Sequence, residues 1–199
     1  MKLLALEFST DRAGIAAADG ARVLAAETLE TGRRRCMELF PAAERVLAAA
    51  GWTFGEVERY AVGIGPGSYT GLRVSLTAAR GWALPGNTPV HAIPSPAALA
   101  AEALAADPSR PVAVCGDARR GHLWCALFEA DPRTLVRQVE PFALVPAGER
   151  GAKWPAARWL EPDSPPSAAW LAALSAADYP QAPLEPIYLH PPVAAPPAP

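Results

Sequence analysis

The apolar positions at the start of the chain form three short runs separated by polar turns. The first run, Lys2–Phe8, is continuous and typical of a buried strand. Ala13–Asp19 and Arg22–Leu29 follow it, and the dipeptide Asp19–Gly20 between them is a strong hairpin signal. We therefore predict that the chain begins with three consecutive antiparallel strands.

Apolar residues three and four positions apart then predict two helices. In the stretch Arg33–Gly51 the residues that share one predicted face are Met37, Phe40, Ala43, Leu47 and Ala50. Pro41 either kinks this helix or marks its first turn. A strand over Arg59–Gly65 and a helix over Thr70–Leu84 come next, and the predicted apolar face of this helix consists of Leu72, Leu76, Ala79 and Ala83.

A further strand and helix complete a regular pattern. Thr88–Ile93 is typical of a strand, and Ser95–Ala105 of a helix with Ser95 as its N-cap and Pro96 at its first position. The resulting order, β-β-β-α-β-α-β, predicts a mixed sheet with helices on its faces. Ribonuclease-H-like domains and the lobes of actin-like ATPases share this order, so we predict an α/β fold of that class without inferring a function from it.

The second half of the chain is less regular. Strands are predicted over Pro111–Gly116, His122–Ala130 and Leu135–Val145, and a short helix over about Ser167–Ala176. Of the 23 prolines, 15 lie between Pro132 and Pro199, which favours turns and short elements there. We predict a first lobe over residues 1–106, a reduced second lobe over 107–190 and a flexible, proline-rich tail over 191–199.

Composition and charge narrow the functional classes. The net charge is −2 over 199 residues, so the chain lacks the basic surface of a protein that binds nucleic acid alone. The three cysteines, Cys36, Cys115 and Cys125, match no zinc spacing and are expected to be free thiols in a reducing compartment. The start is typical of a strand rather than a signal peptide, and no apolar run has the length of a membrane span. These features predict a cytoplasmic location and no contact with a membrane.

The stretch "VGIGPGSYTGLRVSL" places a glycine-rich loop between a strand and a helix. Backbone amides at a helix start can bind a phosphate, and glycines allow a ligand to approach. The residues of this candidate anion site are Gly65, Gly67, Ser68, Thr70, Gly71 and Arg73. The alternative is a tight turn in which the glycines allow close packing. The loop lacks the lysine of a Walker motif and does not match G-x-G-x-x-G.

A second candidate contact lies at the end of the first strand, in "EFST". In actin-like phosphotransferases an acidic residue at this place contacts the metal of a metal–nucleotide complex, and the next small polar residues contact phosphate. Glu7, Ser9 and Thr10 occupy these places here. Together with the glycine loop they define one functional alternative, a small actin-like ATP-dependent phosphotransferase. The other interpretation of Glu7 is an acidic residue that caps the edge of a sheet.

Several stretches together resemble the TsaB family, whose members are also called YeaZ. They are "LLALEFST", "YAVGIGPGSYTGLRVSLTAARGWAL", "VHAIPSPAAL", "CGDARRGHLWCALF" and "PIYLHPP". The resemblance is strong over about Lys2–Phe128 and weaker beyond. It implies a two-lobed, actin-like fold and a non-catalytic subunit, with no cofactor or metal on this chain.

The resemblance also implies the partners. A TsaD-like catalytic subunit would hold the ATP-derived intermediate and a metal, a TsaE-like ATPase would assist, and the threonylcarbamoyl group would be transferred to the adenosine next to the tRNA anticodon. This chain would meet tRNA only through the complex. Helices Arg33–Ala50 and Thr70–Leu84 would pair with the same helices of the partner, or of a second copy in a homodimer. The predicted interface residues are Met37, Leu39, Phe40, Leu72, Leu76, Ala79 and Trp82.

Some residues depart from the family pattern. Glu7 stands where the family has aspartate and Phe8 where it has threonine, so we interpret the phosphate loop as vestigial. Arg33–Arg35 replace the usual start of the first long helix and face solvent, a partner carboxylate or a tRNA phosphate. A third alternative, the metallopeptidase label carried by relatives, is disfavoured because His91, His122 and His190 never fall four residues apart.

Overall fold

The computed structural model describes residues 1–29, 35–162 and 164–189, with the side chain of Arg35 excepted. Its first sheet has five strands: β1 (Lys2–Glu7), β2 (Ala13–Asp19), β3 (Arg22–Leu29), β4 (Arg59–Gly63) and β5 (Val90–Ile93). Their order across the sheet is β3-β2-β1-β4-β5. The pairs β1/β2 and β2/β3 are antiparallel, whereas β1/β4 and β4/β5 are parallel. The predicted mixed sheet and its three opening antiparallel strands are confirmed.

Two amphipathic helices cover one face of this sheet. α1 (Arg35–Ala49) and α2 (Tyr69–Ala83) pack on alternate strand residues such as Leu4, Leu6 and Val62. The predicted buried face of α2 is confirmed. For α1 the prediction is confirmed for Ala43 and Leu47 but wrong for Met37 and Phe40, which are exposed. The residues that face the sheet are Leu39, Ala42, Ala43, Val46 and Leu47.

Two further helices cover the opposite face. α3 (Ser95–Ala106) and α5 (Ala168–Ala176) pack on the intervening strand residues, such as Leu3, Ala5 and Ala16. Both helices are apolar on almost all sides, which is typical of a helix without a solvent face. The N-cap of α3 is Pro94 and not the predicted Ser95, because the Ser95 hydroxyl instead accepts a hydrogen bond from the Gly65 amide at 3.1 Å.

A second sheet covers α3 and α5 from the other side. It consists of β6 (Val112–Asp117), β7 (His122–Asp131), β8 (Leu135–Pro146) and β9 (Arg158–Trp159), in the order β8-β7-β6-β9. The first three strands are antiparallel, and β9 pairs parallel with β6. The sequence pattern predicts β6, β7 and β8 but misses β9 and the short helix α4 (Arg150–Lys153), which span only two and four residues.

The end of the described chain returns to the first sheet. Residues 180–189, which we call the C-terminal strap, bond to the front half of the chain: the Ala182 amide donates to Ala92 O and the Ile187 amide to Ile64 O. The Arg80 guanidinium of α2 donates to Leu184 O at 2.6 Å. Both α5 and the strap belong to the predicted second lobe, but they pack on the sheet of the first lobe. The division into two lobes at residue 107 remains a prediction. His190 and the predicted tail 191–199 lie outside the described residues.

The longest described helices, α1 and α2, have 15 residues each. Within residues 1–29, 35–162 and 164–189, every helix is either too short or too polar to span a membrane.

Candidate functional site

A cleft of about 600 Å³ lies where the loop after β1 meets the glycine loop, the β6–β7 turn and the C-terminal strap. Five of the predicted site residues border it: Ser9, Thr10, Gly67, Ser68 and Thr70. The other residues that line the cleft are Asp11, Pro66, Tyr69, Asp117, Ala118, Arg119, Trp124, Ile187, Tyr188 and Leu189. The remaining predicted phosphate-loop residues, Glu7, Gly65, Gly71 and Arg73, do not line it.

Glu7 is fully buried beside the cleft rather than in it. Its Oε1 accepts a hydrogen bond from the Ser9 amide at 2.7 Å. A Cβ at Gly63 would lie 2.0 Å from Glu7 Oε2, so only glycine fits opposite this carboxyl group. Burial raises the pKa of Glu7, although the hydrogen bond from the Ser9 amide opposes that shift. In this position the carboxyl group packs between strands and does not face a nucleotide in the cleft.

The glycines of the loop allow close packing against the chain itself. A Cβ at Gly67 would lie 2.1 Å from Ser9 O, and a Cβ at Gly71 would lie 2.1 Å from Phe8 O. Gly65 has a φ of +85°, which favours glycine. These contacts fit the packing-turn interpretation, in which the loop seals the end of β1 against the start of α2.

Two amides at the helix start are engaged as well. The Ser68 amide donates to Ser9 O at 2.6 Å, and the Gly71 amide donates to Ser68 Oγ at 3.3 Å. Because a phosphate cradle needs free amide donors, these two bonds reduce the number of donors that the loop offers to a phosphate.

Arg73, predicted as the cation of the anion site, contacts the C-terminal strap. Its Nε donates to Tyr188 Oη at 3.0 Å, and its guanidinium lies 4.2 Å from the centre of the Tyr69 ring. The rings of Tyr69 and Tyr188 are themselves 5.6 Å apart. This cation therefore anchors the strap at the rim of the cleft instead of projecting into the loop.

A partly exposed apolar surface lies on α1, α2 and the turn around Phe54. Met37 is 75% exposed and Phe40 is 48% exposed. The Phe40 ring stacks on Phe54 with centroids 5.5 Å apart, and Phe54 lies 4.8 Å from Trp82. We call these four residues, Met37, Phe40, Phe54 and Trp82, the α1–α2 patch.

Only three of the predicted interface residues belong to this patch. The other four are buried in the core of the chain: Leu39, Leu72, Leu76 and Ala79. Leu39, Leu76 and Ala79 pack on the first sheet between the helices and the strands. The structure therefore leaves none of these four side chains exposed for a partner.

Sequence reasoning missed Phe54, which lies in a 3-10 turn between α1 and β4. A local signal for that turn exists. The Glu56 carboxylate accepts from the Thr53 amide at 2.9 Å, and this Thr-x-x-Glu capping box is readable in the sequence.

Among the described residues, no three His, Cys, Asp or Glu side chains come close enough together to hold a metal ion. His91 is buried, and its ring nitrogens bond to Ser175 Oγ and Tyr179 O. The Arg33–Arg35 cluster lies outside the part of the chain whose side chains are described.

Comparison with known proteins places the chain among proteins of tRNA modification. Residues 30–161 match the family model "TsaD: tRNA N6-adenosine threonylcarbamoyltransferase". An uncharacterized protein of Mycobacterium tuberculosis (strain H37Rv) is 31% identical over 98% of this chain and 94% of its own length. The tRNA threonylcarbamoyladenosine biosynthesis protein TsaB of Escherichia coli K12 is 27% identical over 73% of this chain and 62% of its own length.

A solved structure shares the fold over nearly the whole chain. YeaZ from Pseudomonas aeruginosa superimposes with a TM-score of 0.79 at 24% identity, covering 94% of this chain and 99% of that protein. At this identity the likeness establishes the two-sheet architecture, and the predicted fold class is confirmed.

Proposed function

Because this chain belongs to the family that the TsaD model describes, and to the TsaB type within it, we propose that it serves in tRNA threonylcarbamoyladenosine biosynthesis as an accessory subunit. Its task would be to bind and activate a TsaD-type catalytic subunit. The transfer of threonylcarbamoyl to the adenosine next to the anticodon would take place on that partner.

The observation that carries this proposal is the α1–α2 patch. Met37 and Phe40 present large apolar side chains to solvent on a helix whose opposite face already packs on the sheet. Exposed aromatic and methionine side chains that adjoin one another are enriched in protein interfaces. The patch is therefore the surface that a partner helix pair would cover, either that of a TsaD-type subunit or that of a second copy of this chain.

The distribution of chemistry in the complex is part of the same proposal. ATP and the metal would reside on the TsaD-type subunit, a TsaE-type ATPase would act on the assembled pair, and tRNA would meet this chain only within the complex. The hydrogen bonds that the glycine loop makes to Ser9 O and Ser68 Oγ support a subunit that has no nucleotide of its own.

Co-purification with the TsaD-type protein of the source organism tests the interface. Phe40→Glu places a charge at the centre of the patch and is expected to weaken the complex about thirtyfold or more, because removing an interface anchor costs about 2 kcal/mol or more. The matched control is Leu144→Glu. Leu144 is 46% exposed, close to the 48% of Phe40, but it lies on β8 of the second sheet.

Two results of this experiment are decisive. Loss of the complex in Phe40→Glu but not in Leu144→Glu supports the proposal, and equal binding by both variants would refute the role of the patch. The function itself is tested separately, by measuring threonylcarbamoyladenosine in the tRNA of a bacterium depleted of its own TsaB. If this chain binds the partner but does not restore the modified nucleoside, the accessory role fails while the interface stands.

The phosphotransferase alternative is tested by titration calorimetry of the isolated chain with Mg-ATP. We expect no binding in the sub-millimolar range, since the Ser68 and Gly71 amides bond to the chain itself and Glu7 is buried away from the cleft. Sub-millimolar binding that disappears in Thr10→Ala, a variant of a residue that lines the cleft, would favour the alternative.

A further inference from the structure

Two of the three cysteines lie side by side on neighbouring strands of the second sheet. Cys115 on β6 and Cys125 on β7 are direct partners in the antiparallel register. Side chains of directly opposed residues project from the same face of a sheet. Both thiols accordingly belong to one buried cluster on the outer face, together with Leu127, Val145 and Trp154.

The position along the hairpin brings these two residues close together. The Ala118 amide donates to His122 O at the end of the ladder, and the register continues without a shift to the cysteines. Because hydrogen-bonded and non-hydrogen-bonded pairs alternate, Cys115 and Cys125 occupy a non-hydrogen-bonded pair, in which Cα atoms lie about 4.5 Å apart. This separation falls within the range of roughly 4.4–6.8 Å that disulfides span.

The surroundings make the two thiols chemically unequal. The Cys125 thiol lowers the pKa of Cys115, and Arg150 adds to this effect. The pKa of Cys125 is raised by the neighbouring Cys115 and by burial. The Cys115 thiol donates to Leu160 O at 3.5 Å, and it is the thiol of the pair whose pKa is lowered.

A tryptophan pair covers the cysteines. Trp154 and Trp159 stack with centroids 5.5 Å apart, and both belong to the same apolar cluster as the thiols. Arg150 lies over the Trp159 ring and Lys153 over the Trp154 ring. Both cysteines are buried, so only a small, uncharged oxidant is expected to reach them.

We propose that Cys115 and Cys125 are a peroxide-sensitive dithiol that closes to an intramolecular disulfide across β6 and β7. The Cys115 thiolate attacks one oxygen of hydrogen peroxide, forms a sulfenic acid and releases hydroxide, which takes up a proton to become water. The Cys125 sulfur then attacks the Cys115 sulfur, and the sulfenic oxygen leaves with the Cys125 proton as a second water. Two thiols are oxidised and one peroxide is reduced to two waters.

The disulfide would join β6 and β7, whose connecting turn forms one wall of the cleft. The turn between β6 and β7 contributes Asp117, Ala118 and Arg119 to the cleft, and the disulfide would lie two residues before Asp117. Cys36 differs from this pair, since it lies partly exposed on α1 and shares no strand register with another cysteine. It is the internal control for thiol oxidation without a nearby partner.

Thiol counting on the purified full-length chain after hydrogen peroxide treatment tests this proposal. We expect the unfolded protein to lose two of its three titratable thiols and its intact mass to decrease by two hydrogen atoms. Trypsin cleaves after Arg119 and Arg120, between the two cysteines, so a linked peptide pair would identify the bond. Reduction with dithiothreitol should restore all three thiols.

Matched variants determine which cysteines react. Cys36→Ser should still lose two thiols, whereas Cys115→Ser and Cys125→Ser should form no intramolecular bond. The idea is overturned if peroxide leaves the Cys115 and Cys125 peptides unlinked in Cys36→Ser, or if it oxidises Cys115 beyond the sulfenic acid without forming a disulfide. Circular dichroism of each serine variant shows whether the fold is retained.

Discussion

The two helical layers on the first sheet differ in what lies beyond them. α1 and α2 have one face on the sheet and the other in solvent, where Phe40 and Met37 are exposed. α3 and α5 lie between the two sheets, and Ser95 and Ser175 bond internally, Ser95 to the Gly65 amide and Ser175 to His91. The same sheet is thus covered by an outer layer that exposes large apolar side chains and an inner layer that is mostly buried.

This difference suggests that α3 and α5 mainly determine the stability of the fold, whereas the outer faces of α1 and α2 mainly determine association with a partner. Substitutions in the inner layer act on two sheets at once, so they should affect the free energy of unfolding most strongly. Substitutions on the outer face of α1 and α2 should change association with little effect on unfolding. The four predictions below test that division, beginning with the largest effect.

Leu171→Ala in α5 removes a fully buried side chain from the core shared by both sheets. We expect it to lower the free energy of unfolding by about 2–5 kcal/mol, through lost apolar burial and the cavity left behind. Urea unfolding followed by tryptophan fluorescence measures the change. Leu84→Ala, at a residue that is largely exposed after α2, is the control, and an equal loss there would contradict the division.

Gly71→Ala tests the contact between α2 and the end of β1. The new methyl group would meet Phe8 O, and we expect a loss of about 1–3 kcal/mol from this overpacking. Gly81→Ala on the same helix has open space around the new group and should instead stabilise the protein by up to about 1 kcal/mol through helix propensity. The thermal unfolding midpoint should fall in Gly71→Ala and rise in Gly81→Ala. If both midpoints shift in the same direction, the close contact between Gly71 and Phe8 O does not determine the effect.

His91 should make stability depend on pH. Burial and, to a lesser extent, Arg59 lower its pKa in the folded protein, while the Tyr179 carbonyl and Asp178 oppose the shift. The neutral ring therefore contributes stability fully above the unfolded value of about 6.5, and that stability is lost as the pH falls below it, by at most about 1.4 kcal/mol per pH unit. Glu7, whose pKa is raised, acts in the opposite direction.

Comparison with His91→Gln isolates this contribution, because the effect of Glu7 is present in both proteins and cancels in the difference. Urea unfolding at pH 8 and at pH 5.5 should show a steeper loss for the unmodified protein. If the free energy of unfolding depends on pH in the same way in both proteins, the buried His91 ring does not contribute to that dependence.

Met37→Ser should have the smallest effect on folding. The side chain is 75% exposed, so the free energy of unfolding is expected to change by less than about 0.5 kcal/mol. Its effect should appear in association, measured by analytical ultracentrifugation of the chain alone and with the TsaD-type protein. A large loss of stability would place Met37 in the core and remove the distinction between the two faces of α1.

Local signals explain why much of the fold could be predicted from the sequence. The ends of β2 and β3 were predicted to the residue, because the Asp19–Gly20 turn fixes one end of each strand. The predicted face of α1 was wrong at Met37 and Phe40 for a physical reason. Their large side chains dominate any apolar count, but the small Ala42 and Ala43 are the residues that let the helix approach the sheet, and only Ala43 was predicted.

The site was less predictable, since its parts are distant in sequence. The cleft combines the loop after β1, the glycine loop, the β6–β7 turn and residues 187–189, and no single stretch shows that they meet. The glycines of the loop were identified as special. Whether they accommodate a ligand or the chain's own carbonyl groups depends on where Phe8 and Ser9 lie, which only the folded structure reveals.

The C-terminal strap has a consequence for any attempt to express the front half by itself. β5 is an outer strand of the first sheet, and the strap occupies its free carbonyl groups at Val90 and Ala92. A fragment that stopped near residue 107 would leave these groups bare and also uncover the sheet face beneath α5. Such a fragment should self-associate edge to edge, as unprotected strands do, and adding residues 164–189 back as a separate peptide should restore a soluble pair.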